Sequence, residues 1–368
     1  MQNRTNPLKK MTLAIFAGCF LWVHAASAES VSPPPEKPTD TYKVEKKVKE
    51  SYRTNPYENY LSFSYENDLI GDGNDKYYTN GVRMTYYNID TDLPDFMLRW
   101  ADAIPGFDLN DATSTFFTLG QNMYTPSDIT KATPQKGDRP YAAWLYGSAG
   151  LSTTTEDHVD ELELTLGVVG PEALGEQIQK MIHTHVTDSP TPKGWANQLD
   201  TEPGVILSWQ RRWPRGPNGD WHLDFWDFRL NAEPNINVAL GNIYTYAGTG
   251  LMFTFGPYQD TLQDTPPRVK PAMSGSGYFD VPDQNWSWYL FAGVDGRAVA
   301  RNIFLDGNTF DNDSPNVDKK ILVGDAMAGI AFTLYDYRLS YTANYRTKEF
   351  DGQPDDTFFG SITLTTRF

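Results

Sequence analysis

From residue 57 onward the chain is written in short runs of alternating apolar and polar residues, each ended by Gly, Pro, Asn or Asp. A period of two sends successive side chains to opposite faces of a strand. The last run is the clearest, with Phe358, Gly360, Ile362, Leu364, Thr366 and Phe368 on one face and Ser361, Thr363, Thr365 and Arg367 on the other. One face suits lipid and the other a polar lumen; an ordinary edge strand is the plainer reading. The runs predict strands near 58–68, 77–89, 113–123, 141–154, 159–169, 203–213, 221–240, 244–256, 286–304, 319–335, 337–348 and 356–368. An even number lets a barrel close with both termini on one side. The expected fold is therefore all-β, a 12-stranded antiparallel transmembrane β-barrel, with a short helix in an extracellular loop.

Two intervals break the alternation. Residues 93–103, LPDFMLRWADA, read as a short amphipathic helix, and residues 171–186, PEALGEQIQKMIHTHV, as another, opened by Pro171 and Glu172 where a helix N-terminus favours them. In the second, Leu174, Ile178, Met181 and His185 share helical spacing and predict the packed face, with His183 on a different one.

The N-terminus sets the compartment. Arg4, Lys9 and Lys10 precede an apolar run from Met11 to Val23 and the small residues Ala26, Ser27 and Ala28, the anatomy of a secretory signal peptide over 1–28. Cys19, the one cysteine, leaves with it, so no disulfide or thiolate chemistry is expected. Residues 29–55, rich in Pro, Glu and Lys, read as a disordered periplasmic linker, and 56–368 as the barrel. The formal charge of −16 excludes nucleic acid as a natural partner. Mean hydropathy of −0.52 beside 14% aromatic residues, with no 18-residue apolar stretch after the signal, suits strands rather than helices in a membrane. A large secreted sandwich shares such values. A monomer is expected.

If the first strand rises outward, the connections at 69–76, 124–140 and 170–202 lie on the outer side. That places Asn67, Asp68, Thr79, Lys131 and the helix bearing His183 and His185 together, and leaves His158 and His222 at the opposite end. Asn67, Asp68, Asp72 and Asp75 are hard oxygen donors of the kind calcium takes, although Asn, Asp and Gly also serve turns. Periodicity alone does not choose between the two histidines as a base. There is no G-x-S-x-G elbow, phosphate loop or HExxH pair.

Several segments together resemble one family, the outer-membrane lipid A 3′-O-deacylases or LpxR-like proteins. They are ENDL at 66–69, YYTNG at 77–81, YTPSD at 124–128, KGDRPYAAWL at 136–145, LGVVGPEALG at 166–175, His183, PKGWANQLDTEPG at 192–204 and RRW at 211–213. The resemblance implies a twelve-stranded barrel in the outer membrane that hydrolyses 3′-ester-linked acyl chains of lipid A in lipopolysaccharide, with calcium as cofactor. It implies that Asn67, Asp68, Thr79, Lys131 and His183 are the site, with His183 rather than His185 as the base. Asp68 and Asn67 would hold the metal. The family's glutamate falls within residues 187–189, where Asp188 is the nearest carboxylate and would orient His183 or join the metal. Lys131 and Arg139 are expected to meet the anionic glycolipid. The competing readings are a serine-type outer-membrane phospholipase and a non-enzymatic porin or adhesin.

Overall fold

A computed structural model of the chain describes residues 59–68, 70, 77–89, 97, 99, 101, 106–110, 112–184, 190–217, 221–257, 264–269 and 285–368. The signal peptide, the linker, Asp72, Asp75, His185 and Asp188 lie outside the described residues. So does most of the helix expected at 93–103, of which Met97, Arg99 and Ala101 are described, with Arg99 exposed and Met97 and Ala101 buried against Phe107, Leu151 and Leu162.

The strands are β1 (Asn59–Asn67), β2 (Tyr77–Asn88), β3 (Thr113–Thr125), β4 (Ala142–Thr154), β5 (Val159–Val169), β6 (Glu202–Arg212) and β7 (His222–Phe225). They continue as β8 (Phe228–Gly241), β9 (Tyr244–Pro257), β10 (Trp286–Asn302), β11 (Leu322–Leu334), β12 (Tyr337–Arg346) and β13 (Thr357–Arg367). Neighbours in sequence pair antiparallel, β1 pairs with β13, and β6 pairs directly with β8. The result is a closed ring of twelve strands with β7 as a spur on β8. Closure pairs both edges of the ring strands, which a sheet in lipid requires.

Two expectations need correction at the strand ends. The run 221–240 is two strands, because the chain reverses at Trp226 and Asp227 in a two-residue hairpin with Phe225 opposite Phe228. The run 286–304 ends at Asn302, whose side chain accepts from the Phe304 N–H and caps a single helical turn, α2 (Ile303–Asp306).

Alternation sorts the side chains as predicted. Phe63, Phe117, Leu119, Leu145, Leu166, Val294, Ile362 and Leu364 are exposed on the outer face. Thr363 and Thr365 are buried inside, and Phe359 turns inward against Tyr78 at 4.9 Å between ring centroids. The lumen is packed with paired charges. Arg83 meets Glu163 at 3.2 Å, and Arg297 and Arg346 converge on Asp325 at 2.7 and 2.8 Å. Residues 264–269, from the connection between β9 and β10, also lie within it. Arg212 and Arg338 hold Asp264, and Ser64 donates to the Pro267 carbonyl at 2.8 Å. Buried charges persist only when partnered, so this interior is a core and not an aqueous pore.

Candidate active site at the outer wall

The strand directions put the β1–β2, β3–β4 and β5–β6 connections at one end of the barrel and His158 and His222 at the other. At the first end the outer face changes character. On β3, Phe117 and Leu119 are exposed, but Gln121, Met123 and Thr125, next on the same face, are buried. On β4, Leu145 is exposed while Ala143 is fully covered. On β1, Phe63 is exposed and Asn67, four residues on, is buried. A patch of wall that alternation aims at lipid is thus roofed over.

Over Gln121, Met123 and Ala143 the roof is the β5–β6 connection. It begins with a single turn at Pro171–Ala173, breaks at Leu174 in the left-handed region (φ 59°) and continues as helix α1 (Gly175–Ile182). Gly175 permits the contact, since a Cβ there would lie 2.6 Å from both Ala143 Cβ and the Trp195 ring. Met123, Ile129, Tyr141, Ala143, Ala173 and Trp195 form the cluster beneath, with Ile178 against it. Gln179 accepts from Trp195 Nε1 at 2.7 Å, and Gln121 donates to the Ala173 carbonyl. Each such buried hydrogen bond contributes about 0.5–1.5 kcal/mol net. The packed face of α1 therefore differs from the predicted stripe, with Leu174 and Met181 exposed and Gly175, Gln179 and His183 buried. A glycine contact and an amide–indole bond set the orientation where apolar spacing pointed elsewhere. Gly175→Val is expected to lift α1 off the wall, lowering activity more than tenfold while heat-modifiable migration of the barrel on a gel is unchanged.

His183 terminates α1 and is 5% exposed. Its Nδ1 lies 2.7 Å from the Pro190 carbonyl oxygen. A carbonyl only accepts, so Nδ1 carries the proton and Nε2 of the neutral ring holds the lone pair. Among the described residues the orienting group is a backbone carbonyl, which the sequence did not single out. At the ends of β1, β2 and β3, Asn67 Nδ2 donates to the Thr79 carbonyl at 2.8 Å, and the Thr79 and Thr125 hydroxyls meet at 2.7 Å. A bulge between Tyr78 and Asn80 turns Thr79 to this position. Thr125 is a member that the motifs contained but no role distinguished. Asp68 follows Asn67 and is buried.

Lys131 is not drawn into this buried group. Its side chain is 56% exposed and pairs with Asp128 at 3.4 Å. The Thr130 hydroxyl and N–H, both donating to Asp128, hold that carboxyl below its usual range and so keep its charge beside Lys131. The loop itself is fastened to the roof, because Lys193 N–H donates to the Ile129 carbonyl and Asn197 to the Ala132 carbonyl. Gly194 lies where a Cβ would meet the Tyr141 ring at 2.3 Å and the Lys131 carbonyl at 3.0 Å. Arg139 points inward, under the Tyr124 ring and 3.3 Å from Glu349. It is a core cation rather than a surface one.

Among the described residues no three His, Cys, Asp or Glu side chains gather into a metal-binding group. The donors named at the patch are the Asp68 carboxylate, the Asn67 and Gln121 carboxamide oxygens, the Thr79 and Thr125 hydroxyls and strand-end carbonyls, all oxygen. That set fits calcium, which accepts neutral oxygens, and does not fit zinc, which takes nitrogen and sulfur.

A family model described as outer membrane protein LpxR matches residues 15–368. Among solved structures, LpxR from Salmonella typhimurium superposes with a TM-score of 0.66 at 22% identity, covering 84% of this chain and 100% of that one. The beta domain of the Bordetella autotransporter Brka follows at a TM-score of 0.38 and 9% identity, covering 85% and 99%. This second likeness reflects barrel geometry alone. No curated protein sequence matches the chain.

Proposed function

Because this chain belongs to the family of the outer membrane protein LpxR, we propose that it is a carboxylic ester hydrolase that removes 3′-acyl chains, as acyloxyacyl units, from lipid A of lipopolysaccharide. The observation that carries the reading is the buried His183, at the end of a helix that covers part of the barrel's lipid-facing wall, at the same end of the barrel as Asn67, Asp68 and Thr79. An ester in an amphiphile held in the outer leaflet reaches such a patch from the side, without crossing the barrel. A packed lumen speaks against the porin reading.

In the proposed reaction a water oxygen attacks the ester carbonyl while His183 Nε2 takes the water's proton. The acyl carbon–oxygen bond then breaks, and the proton passes to the departing sugar oxygen. A carboxylic acid and a free hydroxyl result. Thr79 and Thr125, hydrogen-bonded to each other, orient groups at the wall, and Asn67 fixes the strand ends by its bond to the Thr79 carbonyl. Asp68 and Asn67 would hold calcium, with Asp188 as a further ligand, and the ion would supply Lewis-acid polarisation of the ester carbonyl. Lys131, exposed at the end of its loop, meets a phosphate of the anionic substrate. The active site accordingly faces the cell exterior.

The decisive experiment is mass spectrometry of lipid A from cells with and without the protein. Loss of the mass of the 3′-acyl group, with the remaining chains intact, is the expected result. An unchanged spectrum, with the barrel present in the outer membrane, would sink the reading.

A further inference from the structure

The inner segment 264–269 touches the wall directly behind the patch. Glu66, buried inside the barrel, immediately precedes Asn67 and Asp68. Its Oε1 accepts from Arg268 Nε at 3.0 Å and from the Val269 N–H at 3.3 Å, and its Oε2 accepts from the Tyr78 hydroxyl at 2.9 Å. Tyr78 in turn immediately precedes Thr79. On the outer face the next residues are joined as well, Asn67 to the Thr79 carbonyl. The ends of β1 and β2 are therefore clamped on both faces at the same level, at the bulge where the ladder shifts register. Arg268 further lies over the Phe359 ring at 5.7 Å, and Phe359 packs on Tyr78.

We propose that Arg268 is a positioning residue for the outer-wall site, acting through Glu66 to fix the strand ends that carry Asn67, Asp68 and Thr79. The bulge in the β2–β3 pairing leaves one residue unpaired and locally disrupts the ladder, and a displacement of about 1 Å costs on the order of 10²-fold in rate. Arg268 is buried in the lumen and makes its bond from the opposite side of the wall, so it does not touch substrate. The opposite end of the segment, where Asp264 meets Arg212, supplies a control, since it fixes the same segment without reaching β1 or β2. The inference rests on the hydrolase reading for its rate measurement and on geometry alone for its exchange measurement.

The test compares the purified full-length protein with its Arg268→Ala, Arg268→Lys, Glu66→Gln and Asp264→Asn variants, all checked for heat-modifiable migration. Lipopolysaccharide deacylation and amide hydrogen exchange over residues 77–88 are read for each. Arg268→Ala is expected to lower kcat by about 10- to 100-fold with KM within about twofold, and to speed exchange near Thr79. Arg268→Lys recovers part of both, Glu66→Gln falls between, and Asp264→Asn resembles the parent. Wild-type rate and exchange in Arg268→Ala would overturn the proposal, as would equal losses in Arg268→Ala and Asp264→Asn. Should the parent fail to deacylate, the hydrolase reading falls. The exchange contrast between the two ends then decides the latch alone, its presence supporting it and its absence overturning it.

Discussion

Replacing His183 by Ala is expected to lower lipid A deacylation by about 10²- to 10⁴-fold, the usual contribution of a positioned general base, while the barrel inserts and resists heat as before. The ring of strands closes without α1, so the imidazole's loss leaves the fold's hydrogen-bond ladder untouched. The structural cost among the described residues includes the bond from Nδ1 to the Pro190 carbonyl, about 0.5–1.5 kcal/mol. His183→Gln sharpens the comparison, because its amide can still donate to Pro190 but cannot take a proton from water. If Gln restored activity, the ring would be a positioning group and the base would lie elsewhere. Initial rates on purified lipopolysaccharide in detergent decide this, with gel migration before and after boiling as the check on folding.

What the sequence made legible follows from how each part is encoded. The ring was readable because lipid on one face and a packed core on the other force strict alternation, and closure then follows from the strand count. The hairpin at Trp226 and Asp227 was not readable. Trp226 has φ 53°, a left-handed conformation that such turns ordinarily give to Asn or Gly. Tyr335, in the same conformation at φ 52°, turns β11 into β12 where the break between the runs 319–335 and 337–348 puts a turn. Side of the barrel was legible for Asn67, Asp68, Thr79, Lys131 and His183, since strand parity alone fixes it. Face was harder. The α1 stripe pointed to Met181, yet Gly175 and Gln179 take the contact, through a close approach and one hydrogen bond that hydropathy does not register. The segment 264–269, DTPPRV, reads as loop chemistry. Its place in the lumen comes from charge partners more than fifty residues away, which no local pattern reveals.

The same oxygen-rich wall makes the second large effect. Chelation of divalent ions is expected to stop deacylation and added calcium to restore it, whereas Asp68→Asn is expected to lower activity by about 10²- to 10³-fold, the scale on which one oxyanion-stabilising element acts. The two treatments are linked by charge. Asp68 is the one described carboxylate among the patch residues, so converting it to an amide preserves shape and oxygen count while removing the negative charge that favours a dication. Asp68→Asn should therefore need a higher calcium concentration for half-maximal rate, and part of its loss should return as calcium is raised. His183→Ala should gain nothing from the same titration. Zinc, which prefers nitrogen and sulfur donors, should substitute poorly. Full activity in chelator would remove the metal from the mechanism and leave Asn67, Thr79 and Thr125 as the donors to be tested at the oxyanion. Equal responses of the two variants to calcium would show instead that the ion acts on the lipopolysaccharide surface rather than at Asp68.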